Sequence, residues 1–431
     1  MRAKRLSPPA RRTTRRWRTP PAILHGDEPF DGAGVLDEIR GPLGLLLWQS
    51  ARDVALWAGA EEEARGELFA EGADEWLHRL LRNGNGEVQL ESPLMTVVRM
   101  VADPAEARPE TVALACQHIA SWADGHGHTA TAIVFAQAAA LAIPLEAGAA
   151  YAVGRHARGR AEYARAETWF RRAIALARQT GDWQSYALAF LGLGNIYRQR
   201  GNYPAARRFH VRALRAARRH SLRTVQGSAL HDLFVIAANS EQYDDAERYA
   251  RGAYEMYGAD YPRLPVLAHD IAYYWMLRGY FGAALTVFQA LLPHMARHED
   301  RMMALANVVR AAGGAGQRRL FEEMWDEVWE GIARNETLEN AGEVLLELAH
   351  GASHLAEWDR AERAAERAAR LATERSEQKI RMTAEAVLES VRRGRVARAR
   401  AAEGPAPEKI EQSDAFAADL VRSLNASLVA R

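Results

Sequence analysis

From about residue 105 onward, apolar residues recur every three or four positions, and strand-like alternation is nearly absent. That spacing belongs to amphipathic helices. The stretch GLGNIYRQRGNYPAARRFHVRAL, from Gly192 to Leu214, shows the pattern most clearly. Phe190, Leu193, Gly194 and Tyr197 share one helical face, Gly201 and Asn202 interrupt it, and Tyr203, Ala206, His210 and Ala213 mark a second helix. Small residues at the seam let two antiparallel helices approach closely, while the large ones fill the space on either side.

The same arrangement returns along the chain. Tyr163, Ala166, Phe170 and Ala173 precede it, and Tyr243, Ala246, Ala250 and Ala253 follow it. Next come Phe281, Ala284, Phe288 and Leu291, then a late copy at Trp358, Ala361, Ala365 and Ala368. His128, Thr131, Phe135 and Ala138 form a loose first unit, and Phe321, Trp325 and Val328 a loose later one. The reading is a repeat array over residues 108–372, about seven hairpins long. A lone hairpin cannot bury its apolar face, so stacking supplies the stability.

The order aromatic, Leu-Gly, Tyr, Gly, Tyr, Ala, Phe, Ala resembles the tetratricopeptide repeat, most strongly at residues 190–214. The resemblance implies an all-α, right-handed superhelical solenoid of antiparallel helix pairs. Its concave face would be lined by the first helix of each pair and would bind extended peptides. The first-helix glycine persists at Gly154 and Gly194 but gives way to Phe234, Ala272, Val309 and Ala349 elsewhere. The period, near 40, also exceeds the roughly 34 residues of the family.

Carried over residue by residue, the family's peptide-gripping Asn falls on Asn195. The equivalent positions hold Arg155, Val235, Tyr273, Arg310 and His350, and three residues further on lie Arg158 and Arg198. Four residues before the Asn position lie Tyr151, His231 and His269, among others. The implied peptide-binding set is therefore Tyr151, Arg155, Arg158, Asn195, Arg198, His231, His269, Tyr273, Arg310 and His350. Asp232, Asp270 and Glu347 are acidic exceptions within it. Such a face suits a protein or peptide partner with an acidic segment or a chain terminus, because Arg pairs both oxygens of a carboxylate.

Composition narrows the classes of function. Fifty-six basic residues nearly cancel 55 acidic ones. One cysteine, Cys116, excludes an internal disulfide and a cysteine zinc cluster. No apolar run is long enough to span a bilayer, and the basic N-terminus lacks the apolar core of a secretory signal, so a cytoplasmic protein with no membrane partner is expected; the long repeat period resembles that of variants found in bacterial regulators. Arg207, Arg208, Arg212, Arg215, Arg218 and Arg219 form a stripe that phosphates could meet, but the near-zero net charge favours a solvated face over nucleic acid. Self-association is a further expected possibility.

No phosphate-binding loop, HExxH or nucleophile elbow occurs, and GGAG at 313–316 falls where a hairpin turn is expected. Cys116 and His118, two apart on a helix, point in different directions. His25, Asp27, Glu28 and Asp31 match no metal spacing. No catalytic, cofactor or metal residue is assigned, and no enzyme is expected. Residues 1–22 read as a basic disordered tail, 23–105 as a mainly helical N-terminal region with an amphipathic helix at 61–84, 373–403 as a capping helix and 404–431 as a flexible tail whose weakly apolar segment FAADLVRSLNASLVA suits a short docking helix. The expected function is a non-enzymatic interaction scaffold or adaptor. The alternative is a ligand-sensing regulatory repeat protein acting on a separate signalling or transcription partner.

Overall fold

The computed structural model describes residues 32–69, 87–259, 261–335, 338–398 and 411–429. The fold is an all-α solenoid of adjacent helix pairs. The chain divides into two compact units, Met1–Ala229 and Leu230–Arg431.

In the first unit, α1 (Ala33–Glu38), α2 (Pro42–Gly59) and α3 (Val88–Ala102) precede the pairs α4/α5 (Pro109–Gly125, Thr129–Ala142), α6/α7 (Ala147–Gly159, Tyr163–Thr180) and α8/α9 (Trp183–Gln199, Tyr203–Arg219). The break between α1 and α2 falls at Gly41-Pro42, where Gly41 takes a positive φ of 82° and Pro42 opens the next helix. Helix α5 is apolar all round and buried from Ala130 to Ala142, because α2, α4 and α6 all pack on it. Glu38 closes its N-terminus, accepting from the backbone N–H groups of Ala130 (2.6 Å) and Thr131 (2.8 Å). The run at 61–84, expected as one amphipathic helix, instead starts as a 3-10 turn at Glu62–Glu67, and the rest lies outside the described residues. The basic tail and the polar cluster at His25 also lie outside them.

Helix α10 (Arg223–Asn239) contains the unit boundary. The second unit continues with α11 (Tyr243–Tyr257), the pairs α12/α13 (Leu264–Leu277, Phe281–Leu291), α14/α15 (His298–Gly314, Arg318–Arg334) and α16/α17 (Ala341–His354, Trp358–Glu374), and then α18 (Gln378–Arg398). Within the tail expected at 404–431, the weakly apolar segment lies on helix α19 (Glu411–Val429). The reason is a spaced apolar set: Phe416, Ala417, Leu420 and Leu424 lie on one helical face and are at most 5% exposed.

One turn geometry recurs in every hairpin. Gly127, Ala161, Gly201, Glu241, Gly279, Gly316 and Ala356 all take a left-handed φ, between 56° and 82°. Each sits two residues before its second helix. The next N–H reaches back five residues, as from Asn202 to the Tyr197 carbonyl (2.8 Å) and from Glu357 to that of Ala352 (2.9 Å). This Schellman-type closure satisfies the last carbonyls of the first helix.

Candidate functional site

In the first unit, Tyr151, Arg155 and Arg158 lie on α6, and Asn195 and Arg198 lie on α8, two first helices that pack directly on each other. Close packing sets the position of α8. A Cβ at Gly192 would come within 2.4 Å of the Phe170 ring, and one at Gly194 within 2.5 Å of the His210 ring. Asp182 and Asn202 cap α8 and α9, their side chains accepting from the N–H groups of Ser185 (3.0 Å) and Ala205 (3.1 Å).

On this face Asn195 and Arg198 are half-buried, with Arg198 Nε 3.5 Å from Asn195 Oδ1. Arg155 is exposed and donates to Asp124 (3.3 Å) and to Nε2 of His156 (3.0 Å). Tyr151 is half-buried with its ring 5.8 Å from that of Phe170. Burial, reinforced by the Arg155 charge, lowers the His156 pKa to about 4 despite Asp124, so that imidazole is neutral at physiological pH.

In the second unit the expected residues are brought together differently: they bond to one another through the acids that had stood out as exceptions. His231, 3% exposed, meets Tyr257 Oη through Nδ1 (3.3 Å) and Asp270 through Nε2 (2.9 Å). The other Asp270 oxygen faces His269 (3.4 Å), whose Nε2 lies 3.2 Å from the amide nitrogen of buried Asn307. Burial alone would raise the Asp270 carboxyl, but hydrogen bonds from His231 and His269 outweigh it and hold the group well below the usual carboxylate range.

A second knot joins Tyr273 and Arg310 to Glu347, at 3.3 and 2.8 Å. The Arg310 and Glu347 side chains are only 12% and 11% exposed. Burial, then the Glu347 charge, pushes the Tyr273 hydroxyl up to about 12. His350 is lowered to about 4 by burial, with the Arg310 charge adding to it. The expected open basic face is therefore internally neutralised in this unit. Asp270 meets His231 and His269, and Glu347 accepts from Arg310, whereas in the first unit Arg155 is exposed.

Beside this network a cleft of about 440 Å³ opens among α16, α17 and α18, lined by His350, His354, Trp358, Thr383 and Val387 among others. The six stripe arginines of α9 are all exposed. Cys116 is fully buried and its thiol is pushed up to about 12 by that burial, whereas His118 is exposed, so the two make no pair. Gly313 and Gly314 belong to α14 itself, not to the turn expected there; only Gly316 supplies the turn. Among the described residues, no group of three or more His, Cys, Asp or Glu side chains is placed to hold a metal ion. No described helix is long and apolar enough to cross a membrane.

Tyr257, Asn307 and His354 were not legible as site residues. The inter-repeat partners carried a usable signal: His231 and Asp270 are 39 positions apart, His269 and Asn307 are 38, and Arg310 and Glu347 are 37. One repeat period therefore separates each pair.

Residues 145–219, which span α6 to α9, match the family model of the tetratricopeptide repeat. That segment is a run of TPR-like helical hairpins. Repeats of this kind generally mediate protein–protein interaction. No curated protein matches the chain. Among solved structures, a circular tandem repeat protein with novel repeat topology and enhanced subunit contact surfaces is 16% identical, covering 86% of this chain and 89% of its own. Its TM-score of 0.17 is too low to carry any argument.

Proposed function

We propose that this protein is a non-enzymatic interaction scaffold whose first-unit face, built on α6 and α8, holds an extended partner segment through an acidic side chain or a terminal carboxylate. The observation that carries this reading is that exposed Arg155 and half-buried Asn195 and Arg198 stand on two directly packed first helices, within the segment that matches the repeat family. Guanidinium groups on both helices offer charge-assisted donors to a carboxylate. The test is a pull-down from lysate of the source organism with wild type and Asn195→Ala/Arg198→Ala. A partner captured by wild type and lost by the double variant, at unchanged thermal stability, supports the reading. A partner retained by both overturns it.

A second reading, a ligand-sensing regulatory repeat protein, draws on the cleft at His350 and Trp358. It expects a small molecule to raise the melting temperature of wild type but not of Trp358→Ala.

A further inference from the structure

Helices α14 and α16 meet at Gly313 and Gly351, backbone against backbone, which leaves no space between them there. Helices α16 and α18 meet differently. They are close near their starts, where a Cβ on Gly342 would lie 3.0 Å from the Ile380 side chain. Further along, the cleft of about 440 Å³ opens between them, with Trp358 of α17 in its lining. The main chain of α18 comes up against that indole, since a Cβ on Gly394 would lie 2.6 Å from its ring. The cleft thus has a fixed aromatic wall, and its volume is that of a small-molecule site.

Two imidazoles complete it. His350 and His354 are one helical turn apart on α16, so they share a face, and both line the cleft. The His354 ring is set against that of Phe281, with centroids 4.7 Å apart and planes at 62°. Neither imidazole has a hydrogen-bond partner among the described residues, so their ring nitrogens are open to a ligand. Ser353 and Thr383 have spent their hydroxyl protons on the carbonyls of Ala349 (2.8 Å) and Lys379 (2.9 Å).

Charge selects what enters. Burial, with the Arg310 charge adding to it, lowers both histidines, His350 to about 4. That charge comes from α14, and from α13 comes the uncharged ring of Phe281. No Asp or Glu is among the described residues lining the cleft. The nearby carboxylates are already engaged: Glu347 by Arg310 and Tyr273, Asp359 and Glu362 by Arg395, and Glu389 by Arg393. An anion is therefore the charge the site accepts. Its arrival lets the imidazoles take up the proton that the unliganded cleft denies them.

We propose that this cleft binds a small aromatic carboxylate, its ring packed against Trp358 and its carboxylate accepting hydrogen bonds from His350 and His354. The inference rests on the ligand-sensing reading of the same cleft and gives its ligand a chemical class.

The test is isothermal titration calorimetry of the full-length chain with two probes of one shape, 2-naphthoate and its neutral amide, 2-naphthamide. Wild type is expected to bind the carboxylate at least ~10-fold more tightly, the scale of hydrogen bonds to a charged group. Affinity for the carboxylate is expected to rise from about pH 7.5 to about pH 5.5, where histidines regain their protons. Proton uptake is read from the dependence of the heat on the buffer's ionisation enthalpy. The amide is expected to show neither effect. His350→Gln/His354→Gln is expected to lose the preference and the pH dependence, and Trp358→Ala to weaken both probes. Should the double variant unfold by circular dichroism, His354→Gln gives the comparison at an exposed position. Equal binding of the two probes by wild type, lost in Trp358→Ala, would overturn the inference and leave the ligand-sensing reading standing. Carboxylate binding unchanged in folded Trp358→Ala would overturn both. Binding of neither probe would overturn the inference.

Discussion

At the scale of single residues, the first-helix glycines serve as spacers. Helix propensity alone favours Gly194→Ala by about 1 kcal/mol. Contact geometry opposes it: the new methyl would press within 2.5 Å of the ring of His210, which is fully buried. Overpacking of this kind costs about 1–3 kcal/mol, so Gly194→Ala is expected to lower stability in chemical denaturation, against its propensity. The Arg310–Glu347 pair makes the complementary case. Removing one partner leaves a buried charge, so Glu347→Ala is expected to cost about 3–5 kcal/mol. Arg310→Met/Glu347→Leu is expected to recover most of that loss. A double-mutant cycle on melting curves reads the difference directly.

At the scale of elements, one close approach and one turn govern how the helices stack. A Cβ on Gly313 would sit 2.3 Å from the Gly351 carbonyl oxygen, so α14 and α16 meet backbone to backbone. Neither main chain can give way without parting the helices. Gly313→Ala is therefore expected to cost more than Gly194→Ala, where a side chain stands opposite. The hairpin turns invert the logic. Ala161, Glu241 and Ala356 hold the left-handed conformation that glycine holds in the other four hairpins, and a β-carbon there costs roughly 1–2 kcal/mol before glycine's extra chain entropy is deducted. Ala356→Gly is expected to stabilise the chain by about 0.5–1 kcal/mol, seen as a higher denaturation midpoint at unchanged slope.

At the scale of the whole molecule, the neutral histidines make stability fall in weak acid. The His156 pKa is lowered from 6.5 to about 4 in the folded chain. Its contribution is complete above pH 6.5. Below that the unfolded chain takes up a proton that the folded chain refuses until about pH 4. Over this window one such group removes up to about 1.4 kcal/mol per pH unit. His350, lowered for the same reason beside its cleft, acts in the same direction. Denaturation midpoints are expected to drop between pH 6.5 and 4.5, and His156→Gln is expected to flatten part of that slope. The carboxyl of Asp270 adds its own loss only below its ordinary value of 3.8.

The repeat and its helical hairpins were readable from the chain itself. A 3.6-residue apolar stripe, punctuated by glycine and by Asn202, is a local signal that needs no knowledge of distant contacts. Where the helix at 411–429 packs was less readable, because its apolar face is short and acquires meaning only against Tyr254 and Trp275, whose rings meet Phe416. The turn at Ala356 was hidden for a similar reason: the stacked helices impose a conformation that alanine itself disfavours. Sequence by itself determined that this chain is a helical repeat, since periodicity and small-residue spacing are properties of each hairpin alone. Only the tertiary structure decided which polar residues face solvent and which close on one another. Whether Arg310 is an open cation or half of a buried pair depends on Glu347, one repeat away, and on the burial that joins them.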